Sequence, residues 1–243
     1  RRLTTAALLA PAALLYLVLL VAPLILIVPL AFDRPRLGPI LLRGDWSGVN
    51  FSRIATGGLY QQAVVNSVAV ALAVVALALT LGLAVAWQMA RIRDPRRLNL
   101  AILAVLAALQ VDLVLRLFGL VALLGDAGMI NRLVQALGGP ALALMYNRLG
   151  VALGLTQLCV PIVVLTLLGA LRQIAADLID TARSLGAGTG TILRRIVLPW
   201  VAPQLVGAGL LVFGLAFSSY VVPALMAGGR VPVLAMQLYD QIM

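Results

Sequence analysis

The side chains of this 243-residue chain that carry charge at neutral pH are 18 Arg and 8 Asp; Lys, Glu and His are absent, and Cys159 is the single cysteine. Without imidazole there is no His general base, no His-ligated haem and no His-containing zinc site, and one thiol makes neither a disulfide nor a thiolate cluster. No nucleophile stands with a base to activate it, so the sequence offers no catalytic and no metal-ligating residue and enzyme readings rank last. No G-x-x-x-x-G-K-[ST] segment occurs either, and without Lys none can be completed. The missing Lys itself fits a GC-rich genome, which favours Arg, Ala, Leu and Gly together.

Two places remain where charge and spacing ask for a role. Asp112 and Arg116 stand i to i+4 inside an apolar run, a spacing that puts both on one face of a helix. A charge at membrane depth costs about 2.5 to 3.5 kcal/mol on insertion scales, and such residues mostly face the protein interior. With Asp N-terminal to Arg, the two read as a structural pair that neutralises itself, or as a pair lining or gating a pathway. The second place is residues 172–198, a loop between apolar runs that holds Arg172, Asp177, Asp180, Arg183, Arg194 and Arg195.

The elements around them are membrane spans. Hydrophobic residues make up 63% of the chain and charged ones 11%, and the mean hydropathy is +1.10; no water-soluble domain needs that much apolar surface. Crossing a hydrocarbon core of about 30 Å takes about 20 helical residues. The expected architecture is therefore an all-α, polytopic transmembrane bundle in a single domain, with spans at about 6–32, 64–90, 98–124, 149–171 and 201–226. The first run is too long for the apolar core of a cleavable signal and is expected to stay. Residues 231–243 are too short to cross, so they either lie at the surface or lead to a sixth helix. The turn-rich stretch 33–60 reads as an exposed loop.

Ten Arg crowd the N-terminus and the loops at 91–97 and 172–198, whereas the longer loops on the opposite side carry seven. By the positive-inside rule the denser side is cytoplasmic, which puts the N-terminus inside. The same topology accounts for the net charge of +10 without nucleic acid. Asn66, Gln88, Gln110, Gln157, Ser218 and Ser219 lie in or near spans and read as helix-to-helix hydrogen bonders.

Loop 172–198 has a pattern of its own. Ile174, Leu178, Ala182 and Leu185 recur as an apolar stripe with Asp177, Asp180 and Arg183 off it, which predicts a short amphipathic helix. Gly186, Gly188 and Gly190 permit a bend. Ile192, Leu193, Ile196 and Val197 predict a second helix before Pro199. Two such helices either lie in the lipid interface and stiffen the turn, or form a knob that docks into a groove of a soluble partner.

The run Asp180-Thr181-Ala182-Arg183-Ser184-Leu185-Gly186-Ala187, followed by Ile192-Leu193-Arg194-Arg195-Ile196-Val197-Leu198-Pro199, resembles the EAA loop of binding-protein-dependent ABC importer permeases. Asp180, Thr181 and Ala182 stand at the E-A-A positions, Gly186 at the motif glycine, and Ile196, Leu198 and Pro199 at its close; Asp for Glu and Thr for Ala are departures. Residues 116–119, 124–131 and 220–229 are similar to stretches of the spermidine/putrescine permease subfamily. Members of that subfamily have six spans, which implies five here plus a truncated or missing sixth in a type I importer permease fold.

The resemblance implies a set of partners and no cofactor in this chain. ATP-binding subunits at the cytoplasmic face would hold ATP and Mg and grip the loop through Asp180, Thr181, Ala182, Leu185, Gly186, Ile192, Ile196, Leu198 and Pro199. A second permease subunit, identical or related, would complete the pathway, and an external solute-binding protein would deliver a small organic solute, with a polyamine the best guess. The location implied is the bacterial inner membrane, with the bilayer itself as a partner. The alternatives are an ATP-independent secondary transporter or channel, which leaves the EAA-like loop unexplained, and a non-transporting scaffold.

Overall fold

The computed structural model describes residues 2–33 and 46–242. Among the described residues there are twelve α-helices and no strand beyond an isolated bridge between Asp33 and Trp46. Five stretches are long and apolar enough to cross a bilayer: Leu14–Ala31, Gly58–Ala90, Leu113–Ala136, Arg148–Leu171 and Thr189–Ser218.

The chain divides into two compact units, residues 1–61 and 62–243. In the first, α1 (Arg2–Ala31) is followed by the short α2 (Val49–Thr56). Asn50 on α2 donates from its amide to the carbonyls of Ala31 and Asp33, at 3.0 and 2.7 Å, and so covers acceptors left open where α1 ends. The Phe32 ring packs on Trp46 and Phe51. Of the loop expected at 33–60, residues 34–45 lie outside the described residues, and 49–56 are helical rather than loop.

In the second unit the helices follow the sequence with three corrections. The long α3 (Gly58–Ala90) ends at the Arg-rich turn, and α4 (Pro95–Gln110) starts there with Asp94 as its N-cap, accepting from the Arg96 amide, and Pro95 in its first turn. The first correction concerns the run at 98–124, expected as one span. It is broken at Val111 and Asp112, whose backbone is extended, and α5 (Leu113–Leu124) begins a new helix.

The second correction is that the loop expected after residue 124 contains α6 (Met129–Ala136). Buried Asn131 holds that loop together: its side-chain amide donates to the carbonyls of Gly125 and Leu142, and its oxygen accepts from the Leu142 amide. Next comes α7 (Arg148–Leu171), capped by Asn147 and containing Pro161. Beyond it lie α8 (Ala176–Ser184), α9 (Thr189–Ile192), a π-helical turn at Leu193–Val197 and α10 (Leu198–Ser218). The third correction is at the C-terminal side: α10 stops at Ser218 rather than running to 226, Ser219 and Tyr220 form a break, and α11 (Val221–Met226) and α12 (Leu234–Ile242) complete the described chain.

Helix α7 is the axis of this unit. It packs against α4, α5, α10 and α11, and Val151, Leu155, Cys159, Val163 and Leu167 along it are almost wholly buried. Gly82 lets α3 come close, since a Cβ there would sit 2.5 Å from Cγ1 of Val163. Leu72, Leu100, Leu115 and Leu210 point out of the bundle, as side chains facing lipid or another membrane subunit do.

The two ends of the unit are fastened differently. At one end, Asn66 donates to the Pro232 carbonyl at 2.8 Å, the Ser67 hydroxyl accepts from the Leu234 amide at 2.8 Å, and the Tyr146 amide donates to the Met226 carbonyl at 3.0 Å. Asn66 thus bonds to a backbone 166 residues away rather than to a neighbouring helix side chain. The opposite end brings the 91–97 turn together with α8, through Arg93 and Asp180.

Candidate coupling loop and the broken helix

Residues 172–198 form an outgrowth whose inner side is sunk in the bundle. Ile174, Ile192 and Val197 are buried in the main core, and Ile179, Ala182, Ala187, Leu193 and Ile196 pack against it. The inward residues follow the expected stripe only in part, at Ile174 and Ala182. Helix α7 ends at Leu171, the chain turns through 172–175, and α8 starts on a new axis, so Ile174 shares no helical phase with Leu178, Ala182 and Leu185. Inward packing falls to Ile174, Ile179 and Ala182. Leu178 and Leu185, expected on the same stripe, are instead exposed, Leu185 at 83%. Seven residues apart, they lie on one outward face of α8 and its cap.

The bend after α8 is a helix stop with complete hydrogen bonding. Gly186 has φ +82°, its amide donates to the Arg183 carbonyl at 2.9 Å, and the Ala187 amide donates to Ala182 at 3.0 Å. This is the Schellman arrangement, in which the residue after the cap takes the left-handed conformation that a Cβ disfavours. Gly188 and Gly190 do not use it.

The second helix expected in the loop is a correction of another kind. Thr189–Ile192, the π-turn and α10 run on as one continuous stretch, so Ile192, Ile196 and Leu198 belong to the root of a span and not to a separate surface helix. The π-turn carries one extra residue, with the Leu198 amide donating to the Leu193 carbonyl. Pro199 lies inside this continuous stretch, just past the π-turn, where the regular bonding pattern is already interrupted.

On the exposed side of the loop, Asp180 lies 3.6 Å from both Arg93 and Arg183. The Arg93 contact ties α8 to the turn between α3 and α4. Both groups are solvent-exposed, so the pair orients more than it stabilises, at about 0 to 1 kcal/mol. Thr181 and Gly186 are exposed and Ala182 is half-buried. Arg93 and Ile179 were missed by reading along the sequence; the available signal for Arg93 was a basic turn on the same side of the membrane as the acidic motif position.

Asp112 and Arg116 do not form the expected helical pair. Asp112 caps α5, its Oδ1 accepting from the amides of Val114 and Leu115 at 2.9 and 3.2 Å. Arg116 reaches back across the break and donates to the Val111 carbonyl at 2.7 Å and, more weakly, to Leu109 at 3.4 Å. Each charge is thereby spent on one of the two helix ends that the break leaves open. Gln110, Val111 and Asp112 are exposed at this break.

Comparison with known proteins agrees with this arrangement. Residues 100–242 match the family model described as "Binding-protein-dependent transport system inner membrane component". The spermidine/putrescine transport system permease protein PotB of Haemophilus influenzae is 29% identical over 175 residues, covering 71% of this chain and 61% of that protein. The molybdenum transport system permease protein ModB of Mycobacterium bovis is 30% identical over 221 residues, 88% of this chain and 80% of ModB. The chain therefore spans less than two thirds of the PotB relative's length. A chain in the crystal structure of a bacterial ABC transporter that imports the acidic polysaccharide alginate superposes with a TM-score of 0.73 at 16% identity, covering 98% of this chain and 83% of that one. A second structure of a bacterial alginate ABC transporter, in complex with a pentasaccharide-bound periplasmic protein, gives 0.75 at 16% identity. With more than half its length matched by the family model and its helices laid out as in a solved importer, the chain belongs to the binding-protein-dependent transport permeases, the inner-membrane components of bacterial ABC importers.

Proposed function

We propose that this chain is the membrane-spanning subunit of an ATP-driven importer and that residues 172–198 are the lever through which a separate ATPase drives it. The observation that carries the reading is the two-sided build of the loop: one side is sunk in the bundle core, while Leu178 and Leu185 are offered outward. A loop fastened at both roots transmits a push as rigid-body motion of α7 and α10, which is what alternating access between the two faces requires. ATP and Mg belong to the partner in this scheme, and the N-terminus and α8 lie in the cytosol. A second permease subunit, covering part of the outward apolar face, would complete the pathway.

The cargo favoured is a small organic solute of the polyamine kind, supported by the PotB relatives. The ModB relatives keep an oxyanion as the competing cargo. Delivery by an external solute-binding protein is supported by the neighbouring structure that contains one.

The test is the pair Leu178→Ser and Leu185→Ser in the full-length protein, co-expressed with its neighbouring transport genes. Attachment of the ATPase subunit in pull-down is expected to fall at least about tenfold, consistent with losing two apolar anchors, while the permease stays in the membrane at its normal level. Unchanged attachment, or solute uptake that continues without any ATPase, would overturn the proposal. Uptake of labelled spermidine and of labelled molybdate by the intact assembly decides between the cargoes.

A further inference from the structure

At the end of the bundle that carries α8, a cleft of about 470 Å³ opens between the α3–α4 turn and the bend from α7 into α8. Trp87, Arg91 and Arg93 line one side, and Arg172, Ile179 and Arg183 the other. Four guanidinium groups meet here with one carboxylate, Asp180. That carboxylate is already engaged by Arg93 and Arg183. Among the described residues no carboxylate lies within ion-pair range of Arg91 or Arg172.

Arg91 is the unusual member. Its guanidinium lies over the Trp87 ring, 4.2 Å from the centroid, and its Nε and one terminal nitrogen are closed off from solvent without an acceptor. Burial, and after it the nearby Arg183, hold this group below the usual guanidinium range. A guanidinium presents donors suited to the oxygens of an anion, and three of the four in this cleft have no enclosed nitrogen without an acceptor. The chemistry that suits this cleft is that of an oxyanion.

Its position says which source would supply one. Arg91 directly follows Ala90, where α3 ends, and Arg172 directly follows Leu171, where α7 ends. Each thus directly follows the last residue of a helix apolar and long enough to cross a bilayer, and a basic pocket between such helix ends is suited to an anionic lipid headgroup. Trp87, one turn before Arg91, is buried in the core and also lines the cleft. The outward leucines Leu178 and Leu185 do not line the cleft, whereas Asp180, at the first position of the motif, does.

We propose that this cleft binds the phosphate of an acidic phospholipid headgroup, held by Arg91 and Arg172 at the root of the coupling loop. The lipid would bridge the end of α3 to the bend that leads into α8. Lipid binding is read on the permease without the ATPase subunit, so the proposal fails or holds separately from the proposed function.

The experiment uses the full-length protein with every tryptophan except Trp87 replaced by Phe, Trp46 and Trp200 among them, and follows Trp87 emission in neutral detergent. Short-chain phosphatidylglycerol is expected to give a saturable change at a concentration at least about tenfold lower than phosphatidylcholine does. Arg91→Gln with Arg172→Gln is expected to weaken phosphatidylglycerol about 30-fold, at about 1 kcal/mol for each arginine facing an anionic headgroup. Arg91→Lys with Arg172→Lys keeps the charge and should stay within about fivefold of the parent, which separates loss of the site from loss of the fold. Arg93→Gln, whose group is already engaged with Asp180, should change affinity less than about threefold. Equal response to both lipids, or an unchanged response in the Gln pair, overturns the proposal. So does saturation by millimolar inorganic phosphate alone, which would mark a site for a soluble anion, or displacement of the lipid by the ATPase subunit, which would give the cleft to a protein carboxylate.

Discussion

At position 112 the charge and the hydrogen bond can be separated. Asn caps a helix about as well as Asp, so Asp112→Asn keeps the bonds to the Val114 and Leu115 amides and removes only the charge, whereas Asp112→Ala removes both. The expected outcome is that Asp112→Asn assembles at the parental level and transports several-fold more slowly, because the charge lies exposed at a break facing out of this subunit. Asp112→Ala is expected to lose about 1 kcal/mol of stability in addition, read as a lower midpoint in thermal unfolding. Equal loss of assembly and transport in Asp112→Asn would make the residue purely structural. The two charges were legible in the sequence but their use was not. Hydropathy averages over the break, and i to i+4 spacing describes neighbours only while the helix between them is intact.

Helix packing was legible in part, for a physical reason. Charge-free runs identified α3 and α7, since nothing but a span needs more than twenty apolar residues in a row. Which face of α8 turns inward was not legible, because the phase of a helix resets at a bend, and the bend at 172–175 carries no glycine or proline to announce it. The pairing of Asp180 with Arg93 is invisible for a different reason, since it joins residues 87 positions apart. Close approach of helices is also silent in one sequence: Gly82 reads as an ordinary apolar-run glycine until Val163 is found against it. Gly82→Ala is expected to destabilise the protein by about 1 to 3 kcal/mol through overpacking. Val163→Ala in the same chain should restore most of that loss, and a double-mutant cycle in thermal unfolding measures the coupling. Additive losses would mean that α3 and α7 adjust without strain.

Across the whole second unit the two ends differ in what ties them. One end holds three hydrogen bonds between distant backbone and side-chain groups, all shielded from water to some degree. The other rests on an exposed ion pair and on Ile174, Ile192 and Val197, buried at the roots of loop 172–198. The hydrogen-bonded end carries the 226–234 segment, and the end joined by the ion pair and apolar packing carries α8. The structure fixes which loops share a side: 91–97 with 172–198 at one end, and 146 with 226–234 at the other. The absolute orientation is the part that the positive-inside rule predicts and labelling tests. Cys159 bears on that question, being completely enclosed by α7's neighbours. A maleimide too polar to cross the bilayer has no route to that sulfur, so Cys159 is silent background for chemical mapping. With Ser184→Cys and Asp126→Cys made separately in intact cells, the probe should tag position 126 alone, and tag 184 only after the cells are opened.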